Sequence, residues 1–484
     1  MRLVTLSLIS HTNVGKTTLA RTLLRSDVGE VLDQAHVTEV SEAYDLVKLP
    51  DACLRLWDTP GLGDSARLVR RLKQEGNPLG WFLHQVWDRY RDRPLFCSQQ
   101  AIRNIRGEAD VVLYLVNASE HPEEAGYVSP EMELLGWIGK PVLVLLNQTG
   151  DGDPARDARA LDLWKKALAA WSIVRDVLSL DAFTRCWVQE GVLLERVAGL
   201  LEGEKRAVTT TLARAWEEGN LAIFERASAA LGGYLAGAID DREPVPGQGV
   251  GQGDKRRAMR TLAERLDKAT RRLMDDLIAE HGLVGRYQTD ARERLQEDFD
   301  LPGEVAWSSA RAGILGAAMG GAAGGLVADV MVAGLSFGGG AVAGAILGAA
   351  GAMGLRRGYQ FVRGDETPEV RWALEFLDQL LRQSLLRYLA VAHFGRGRGE
   401  WRDTGNPERW NALVEAALRA RTDRFAEVVA FQRESPGESP VFAERLTAIV
   451  QSALSDVLST AYPQAAHIVR RREPTISGTS PTER

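Results

Sequence analysis

The eight residues Ser10-His11-Thr12-Asn13-Val14-Gly15-Lys16-Thr17 follow a short apolar run, Leu3 to Ile9, and lead into Thr18 to Leu24, whose spacing is helical. A glycine-and-lysine loop in that setting constrains a chain severely. Strand, turn and helix N-terminus must meet so that successive backbone N–H groups point at one anion. The Lys16 ammonium then reaches the outer phosphates of a nucleotide, and the Thr17 hydroxyl is placed for Mg²⁺. Ser10, His11, Thr12, Asn13, Val14, Gly15 and Thr18 complete the set expected to cradle the ligand. Ser10 stands where the tight turn usually has glycine, so a small Cβ has to fit there.

Further apolar runs at Cys53 to Trp57, Ala109 to Val116, Pro141 to Leu146 and Ile173 to Leu180 are spaced for crossover helices. That rhythm predicts an α/β fold, a mostly parallel six-stranded sheet covered on both faces, with Glu42 to Leu49 as an edge strand. The stretch 64–107 is long for one crossover and predicts an inserted helical element. Asp58-Thr59-Pro60-Gly61 ends the third strand, where the carboxylate can hold Mg²⁺ and the Gly61 amide can meet a terminal phosphate. Thr38 lies about midway between Thr17 and Asp58, a spacing suited to a switch threonine that closes on Mg²⁺. Lys16, Thr38 and Gly61 are therefore the expected catalytic residues, and Thr17, Thr38 and Asp58 the expected Mg²⁺ ligands.

The chain has 59 Lys+Arg against 65 Asp+Glu, a formal net charge of −6, so no global positive field recruits nucleic acid or an anionic surface. With no basic, aromatic-interleaved module visible either, nucleic acid is not an expected partner. Cys53, Cys97 and Cys186 are an odd number without metal-ligand spacing, and no cleavable signal pattern is visible, which points to a reducing cytoplasm. Tryptophans 81, 87, 164, 171 and 187 read as core and inter-domain contacts.

After the first domain, 1–200, the pattern turns all-α: a region 201–310 with helices at Lys205 to Ala236 and Arg256 to Gln296, joined by a flexible linker within 240–254. Residues 311–357 hold an apolar segment rich in glycine; between Ala312 and Leu355 the sole charged residue is Asp329. Gly316, Gly320 and Gly324 recur every fourth residue, as do Gly340, Gly344 and Gly348, which predicts a helical hairpin of two ~20-residue arms. Two readings stand: insertion in a membrane through 312–355, or a glycine-lined pair buried inside a helical domain. In 358–469, Thr367 caps a helix with Pro368 at its first position, running to about His393 and stopping at Gly395; more helix follows from Pro407 to Ser459. Arg396 and Arg398 then read as solvated loop residues, and 470–484 as a disordered tail.

Residues 1 to about 185 resemble the translation-factor-related GTPases, particularly the Era-like branch, through the phosphate loop and Asp58-Thr59-Pro60-Gly61. The resemblance implies GTP and GDP as ligands with Mg²⁺. Its base-recognition motif, Asn-Lys-x-Asp, has a partial counterpart in Asn147-Gln148-Thr149-Gly150, with Asp151 one residue late. Asn147, Gln148 and Asp151 are thus the implied base contacts, and guanine against adenine stays open, an ATPase being the alternative. Leu62 stands where Ras-type enzymes carry a water-orienting glutamine, which implies slow hydrolysis, or a nucleotide-dependent scaffold with little turnover. Asn13 occupies the position of an asparagine that helps coordinate K⁺ in members that dimerise across the nucleotide, so K⁺ and a homodimer are implied. A plain loop-stabilising role for Asn13 stays equally open. The layout as a whole resembles a bacterial family of GTPases joined to a C-terminal domain of unknown function, and in outline dynamin-like membrane GTPases. The implied role is a nucleotide switch at the inner face of the cell membrane.

Overall fold

The structure is a computed structural model that describes residues 1–12, 14–25, 41–73, 93–148, 154–182, 185–245, 252–284, 359–362, 368–394, 408–434 and 439–470. These fall into two compact units, one built mainly from residues 1–221, the other from 222–392 and 400–484.

In the first unit the apolar runs form strands β1 (Arg2–Ser10), β2 (Glu42–Lys48), β3 (Ala52–Asp58), β4 (Val111–Asn117), β5 (Val142–Asn147) and β6 (Val174–Ser179). Their order in the sheet is β2-β3-β1-β4-β5-β6, with only β2 antiparallel to its neighbour. The crossovers carry helices α1 (Lys16–Leu24), α2 (Ser65–Leu72), α3 (Arg93–Gly107), α4 (Val128–Ile138) and α5 (Pro154–Leu168), and α6 (Trp187–Leu200) follows β6. Every residue of β4 from Val111 to Val116 is buried, because both faces of this strand are covered. Val112, Tyr114 and Val116 join one core cluster with Leu68 and Leu72 of α2, Ile102 and Ile105 of α3, Met132 and Leu135 of α4, and Trp164 of α5. Among its described residues, the expected insertion 64–107 thus contributes two helices, α2 and α3, whose apolar faces belong to the main core. Trp187 is buried and Trp171 packs partly against that core, whereas Trp81 and Trp87 lie outside the described residues.

Helix α7 (Gly203–Asp240) continues the chain, followed in the second unit by α8 (Gln252–Glu280), α9 (Leu374–Ala392), α10 (Glu408–Arg419), α11 (Thr422–Glu434), α12 (Ser439–Ala461) and the short α13 (Ala466–Val469). The region is helical with one addition, a three-stranded antiparallel sheet of β7 (Arg242–Pro244), β9 (Glu369–Trp372) and β8 (Tyr359–Val362). The helix expected from Pro368 thus starts only at Leu374. The preceding four residues alternate: Val370 and Trp372 point into the core and are fully buried, and both edges of the strand find partners. Within the expected linker, Arg242–Pro244 supplies one of those edges. Helix α8 ends earlier than the expected Gln296, because Gly282 takes φ 64° and the Gly282 and Leu283 amides fold back on the Ala279 and Ile278 carbonyls. No described helix is long and apolar enough to cross a membrane. The hairpin expected at 312–355, Arg396, Arg398 and the tail from 471 lie outside the described residues.

Candidate functional site

The site is built where β1 gives way to α1. Gly15 adopts φ 95°, and a Cβ there would lie 2.8 Å from Nδ2 of Asn147, so both backbone and space demand glycine. That turn aims the N-terminus of α1 at the loop, while Lys16, buried, folds back so that Nζ donates to Ser10 Oγ at 3.1 Å. The serine at the first loop position is thus accommodated as a hydrogen-bond partner of the lysine. Val14 and Thr18 are buried, and His11, Thr12 and Thr17 are partly exposed.

Asp58, at the end of β3, reaches the same place. Its Oδ2 accepts from the Thr17 hydroxyl at 2.6 Å. Its Oδ1 is buried with no hydrogen-bond partner, which leaves one carboxylate oxygen for a cation beside the threonine. Burial pushes the Asp58 carboxyl above its ordinary range, against the pull of the Thr17 hydrogen bond and the Lys16 charge. Burial likewise pulls the Lys16 ammonium down, opposed by the charges of Asp58 and Glu131. A nucleotide's phosphates would stabilise the charged lysine, and a divalent cation the charged carboxylate. The donor set therefore fits Mg²⁺: a carboxylate oxygen and a hydroxyl, both hard ligands, with no cluster of three or more His, Cys, Asp or Glu among the described residues.

The segment after Asp58 is held from three sides. The buried Thr59 hydroxyl donates to the Leu8 carbonyl, the Leu62 amide donates to the Ser10 carbonyl at 2.9 Å, and Ser98 of α3 bonds the Gly63 carbonyl at 3.2 Å. A Cβ on Gly61 would lie 3.1 Å from Lys16 Nζ and 3.2 Å from Thr12, so this glycine packs against the phosphate loop with no room for a side chain. Leu62 points inward and is 1% exposed.

At the other end, Asn147 closes β5. Its Nδ2 donates to the Val14 carbonyl at 2.7 Å and its Oδ1 accepts from the Ala182 amide at 2.8 Å. Gln148 has φ 58°, and its carbonyl accepts from the Ser119 hydroxyl at 2.8 Å. The described chain thus brings Ser10, Thr12, Val14, Gly15, Lys16, Thr17, Asp58, Gly61 and Asn147 into one cleft. Asn13, Thr38, Gly150 and Asp151 lie outside the described residues. One group that motif reading missed is Glu131 of α4, buried beneath the loop: its Oε1 lies 2.8 Å from His11 Nδ1 and its Oε2 accepts from the Tyr114 hydroxyl at 2.7 Å. A single glutamate in the first turn of a helix carries no sequence signal for such a place.

With this geometry in view, sequence comparison places both parts. A family described as a domain of unknown function, DUF3482, matches residues 165–457, more than half of the chain. The chain belongs to the DUF3482 family. Residues 5–148 match a second family, described as 50S ribosome-binding GTPase, so this DUF3482 protein carries a GTPase domain at its N-terminus. A comparison with curated proteins finds no match. Among solved structures, this DUF3482 chain is similar to an Era variant from Aquifex aeolicus bound to GDP·AlF4⁻, at 20% identity and a TM-score of 0.32. It is also similar to Era in complex with MgGDPNP and a segment of 16S ribosomal RNA, at 20% identity and a TM-score of 0.31. Each Era match covers 42% of the DUF3482 chain and 59% of the Era chain, so the present chain spans about three-fifths of the length of those relatives. A third match, at 15% identity and a TM-score of 0.25, covers 38% of this chain and 72% of a structure of the chloroplast translocon components atToc33 and psToc159.

Proposed function

We propose that the N-terminal unit binds GTP with Mg²⁺ and hydrolyses it slowly, and that the helical region reads which nucleotide is bound. The observation that carries this reading is Asp58, whose Oδ2 accepts from the Thr17 hydroxyl while its buried Oδ1 has no hydrogen-bond partner, beside a phosphate loop that ends in a buried lysine. Mg²⁺, when bound, would offset charge on the outer phosphates. Lys16 would exchange the Ser10 hydroxyl for a phosphate oxygen, and the loop amides with the α1 N-terminus would fix the phosphate chain. The Gly61 amide would donate to the terminal phosphate, so that the segment through Leu62 is pulled in with GTP and released with GDP. Leu62 brings no polar atom to orient water, which supports slow turnover. Phosphate release from GTP tests this: a slow Mg²⁺-dependent rate that disappears in Lys16→Ala supports the reading, and an unchanged rate in that variant defeats it.

A nucleotide hydrolase without guanine preference, or a scaffold with little turnover, is the second reading. It is favoured by the base end, where Asn147 commits one hydrogen bond from each of its polar atoms to Val14 and Ala182 and glutamine rather than lysine follows it. Three further parts of the proposal rest on sequence alone: membrane insertion through 312–355 at the inner face of the cell membrane, a K⁺ ion held by Asn13, and pairing of two copies across the nucleotide. Vesicle flotation of the full chain against one lacking 312–355, and turnover in K⁺ against Na⁺, test them.

A further inference from the structure

Glu131 sits in the first turn of α4 with no exposed surface, an expensive place for a carboxylate unless its oxygens are fully satisfied. Two side chains hold it at hydrogen-bond distance, the Tyr114 hydroxyl of β4 at 2.7 Å and His11 Nδ1 of the phosphate loop at 2.8 Å, and the Ser65 hydroxyl, from the first residue of α2, lies near enough to favour its charged form. The His11 ring is itself held in orientation, stacked on Tyr127 with centroids 4.5 Å apart. The hydrolytic scheme above makes no use of this carboxylate, yet two of its partners lie on the two segments that must close on a terminal phosphate. His11 follows Ser10 directly, and Ser65 lies four residues after Gly61. The same two segments also meet through a backbone bridge between His11 and Leu62. Beneath that bridge, Glu131 supplies the side-chain link between loop and helix.

We propose that Glu131 is a positioning residue: by holding His11, which bridges to Leu62, and standing beside Ser65 at the start of α2, it fixes where Gly61 stands relative to the phosphate loop. This rests on the GTPase reading and deepens it. If the link is cut, the loop alone still holds the two phosphates of GDP, but the start of α2 no longer brings Gly61 to a third phosphate. The consequence is selective, with the preference for a triphosphate falling while diphosphate binding persists.

The test uses the full chain, GDP and guanosine 5′-(β,γ-imido)triphosphate as probes, and single-turnover GTP hydrolysis. Ser65→Ala and Glu131→Gln are expected to leave GDP affinity within about twofold. Affinity for the imido analogue and the single-turnover rate fall roughly tenfold, the scale of one hydrogen-bonded contact. Tyr114→Phe removes a bond to the same carboxylate without touching either phosphate segment, so it lowers thermal stability and leaves the triphosphate-to-diphosphate ratio unchanged. Equal losses for both nucleotides in Ser65→Ala, a ratio shift in Tyr114→Phe matching that in Ser65→Ala, or no shift in any variant would each overturn the proposal. A wild-type chain that bound neither probe would overturn the GTPase reading and this proposal together.

Discussion

The two ends of the nucleotide cleft differ in how their buried polar atoms are satisfied. At the phosphate end, Asp58 keeps an oxygen without a partner and Lys16 rests on a serine hydroxyl that a phosphate could displace. At the base end, both polar atoms of the Asn147 side chain are engaged with the protein itself, one on the phosphate loop and one on the loop after β6. The phosphate end is built to receive charge from outside. At the base end, Asn147 ties two loops together. The contrast makes phosphate affinity and base specificity separately testable in this chain.

The largest effect should come from Lys16→Ala. Loss of a charge-assisted contact to the phosphates costs about 2–3 kcal/mol, some 30- to 150-fold in triphosphate affinity, read by fluorescent-nucleotide titration. Asp58→Asn follows: it keeps the shape but removes the charge, so triphosphate affinity should lose its dependence on Mg²⁺, with roughly a tenfold drop at saturating metal. An Asp58→Asn protein that still tightened its grip with added Mg²⁺ would move the metal elsewhere. Gly61→Ala is the third in size. Its Cβ meets Lys16 Nζ and Thr12 at 3.1–3.2 Å, so the segment must shift away, and the GTP-to-GDP affinity ratio should fall several-fold while GDP binding holds. The smallest effect, and the sharpest for the comparison, is Asp151→Asn. If this residue supplies the base contact, guanine preference over adenine drops by about threefold with phosphate affinity otherwise intact, and an unchanged preference would assign the role to other groups.

Much of the first unit could be read from the sequence because its signals are local. The apolar runs give six strands, and the phosphate loop and Asp58-Thr59-Pro60-Gly61 each lie on one short stretch of chain. What escaped was non-local. Glu369–Trp372 reads as the start of a helix because Thr367-Pro368-Glu369 looks like a cap, but its ladder partner Arg242–Pro244 is far away in sequence. Only that pairing makes the alternation of Val370 and Trp372 decisive. Glu131 escaped for the same reason: its partners at positions 11, 65 and 114 are brought together by the sheet. Asn147 was read as a base contact from its motif, while its hydrogen bonds to Val14 and Ala182 depend on loops from three strands converging.

The central claim is that a phosphate site of this construction serves guanine nucleotides despite the altered base motif. Isothermal titration of the full chain with GDP, GTP, ADP and ATP at equal Mg²⁺ tests it most directly. The account predicts that both guanine nucleotides bind and that their adenine counterparts bind at least tenfold more weakly. Equal affinity for the two bases, or preference for adenine, would contradict it and leave a nucleotide hydrolase defined by its phosphate end alone.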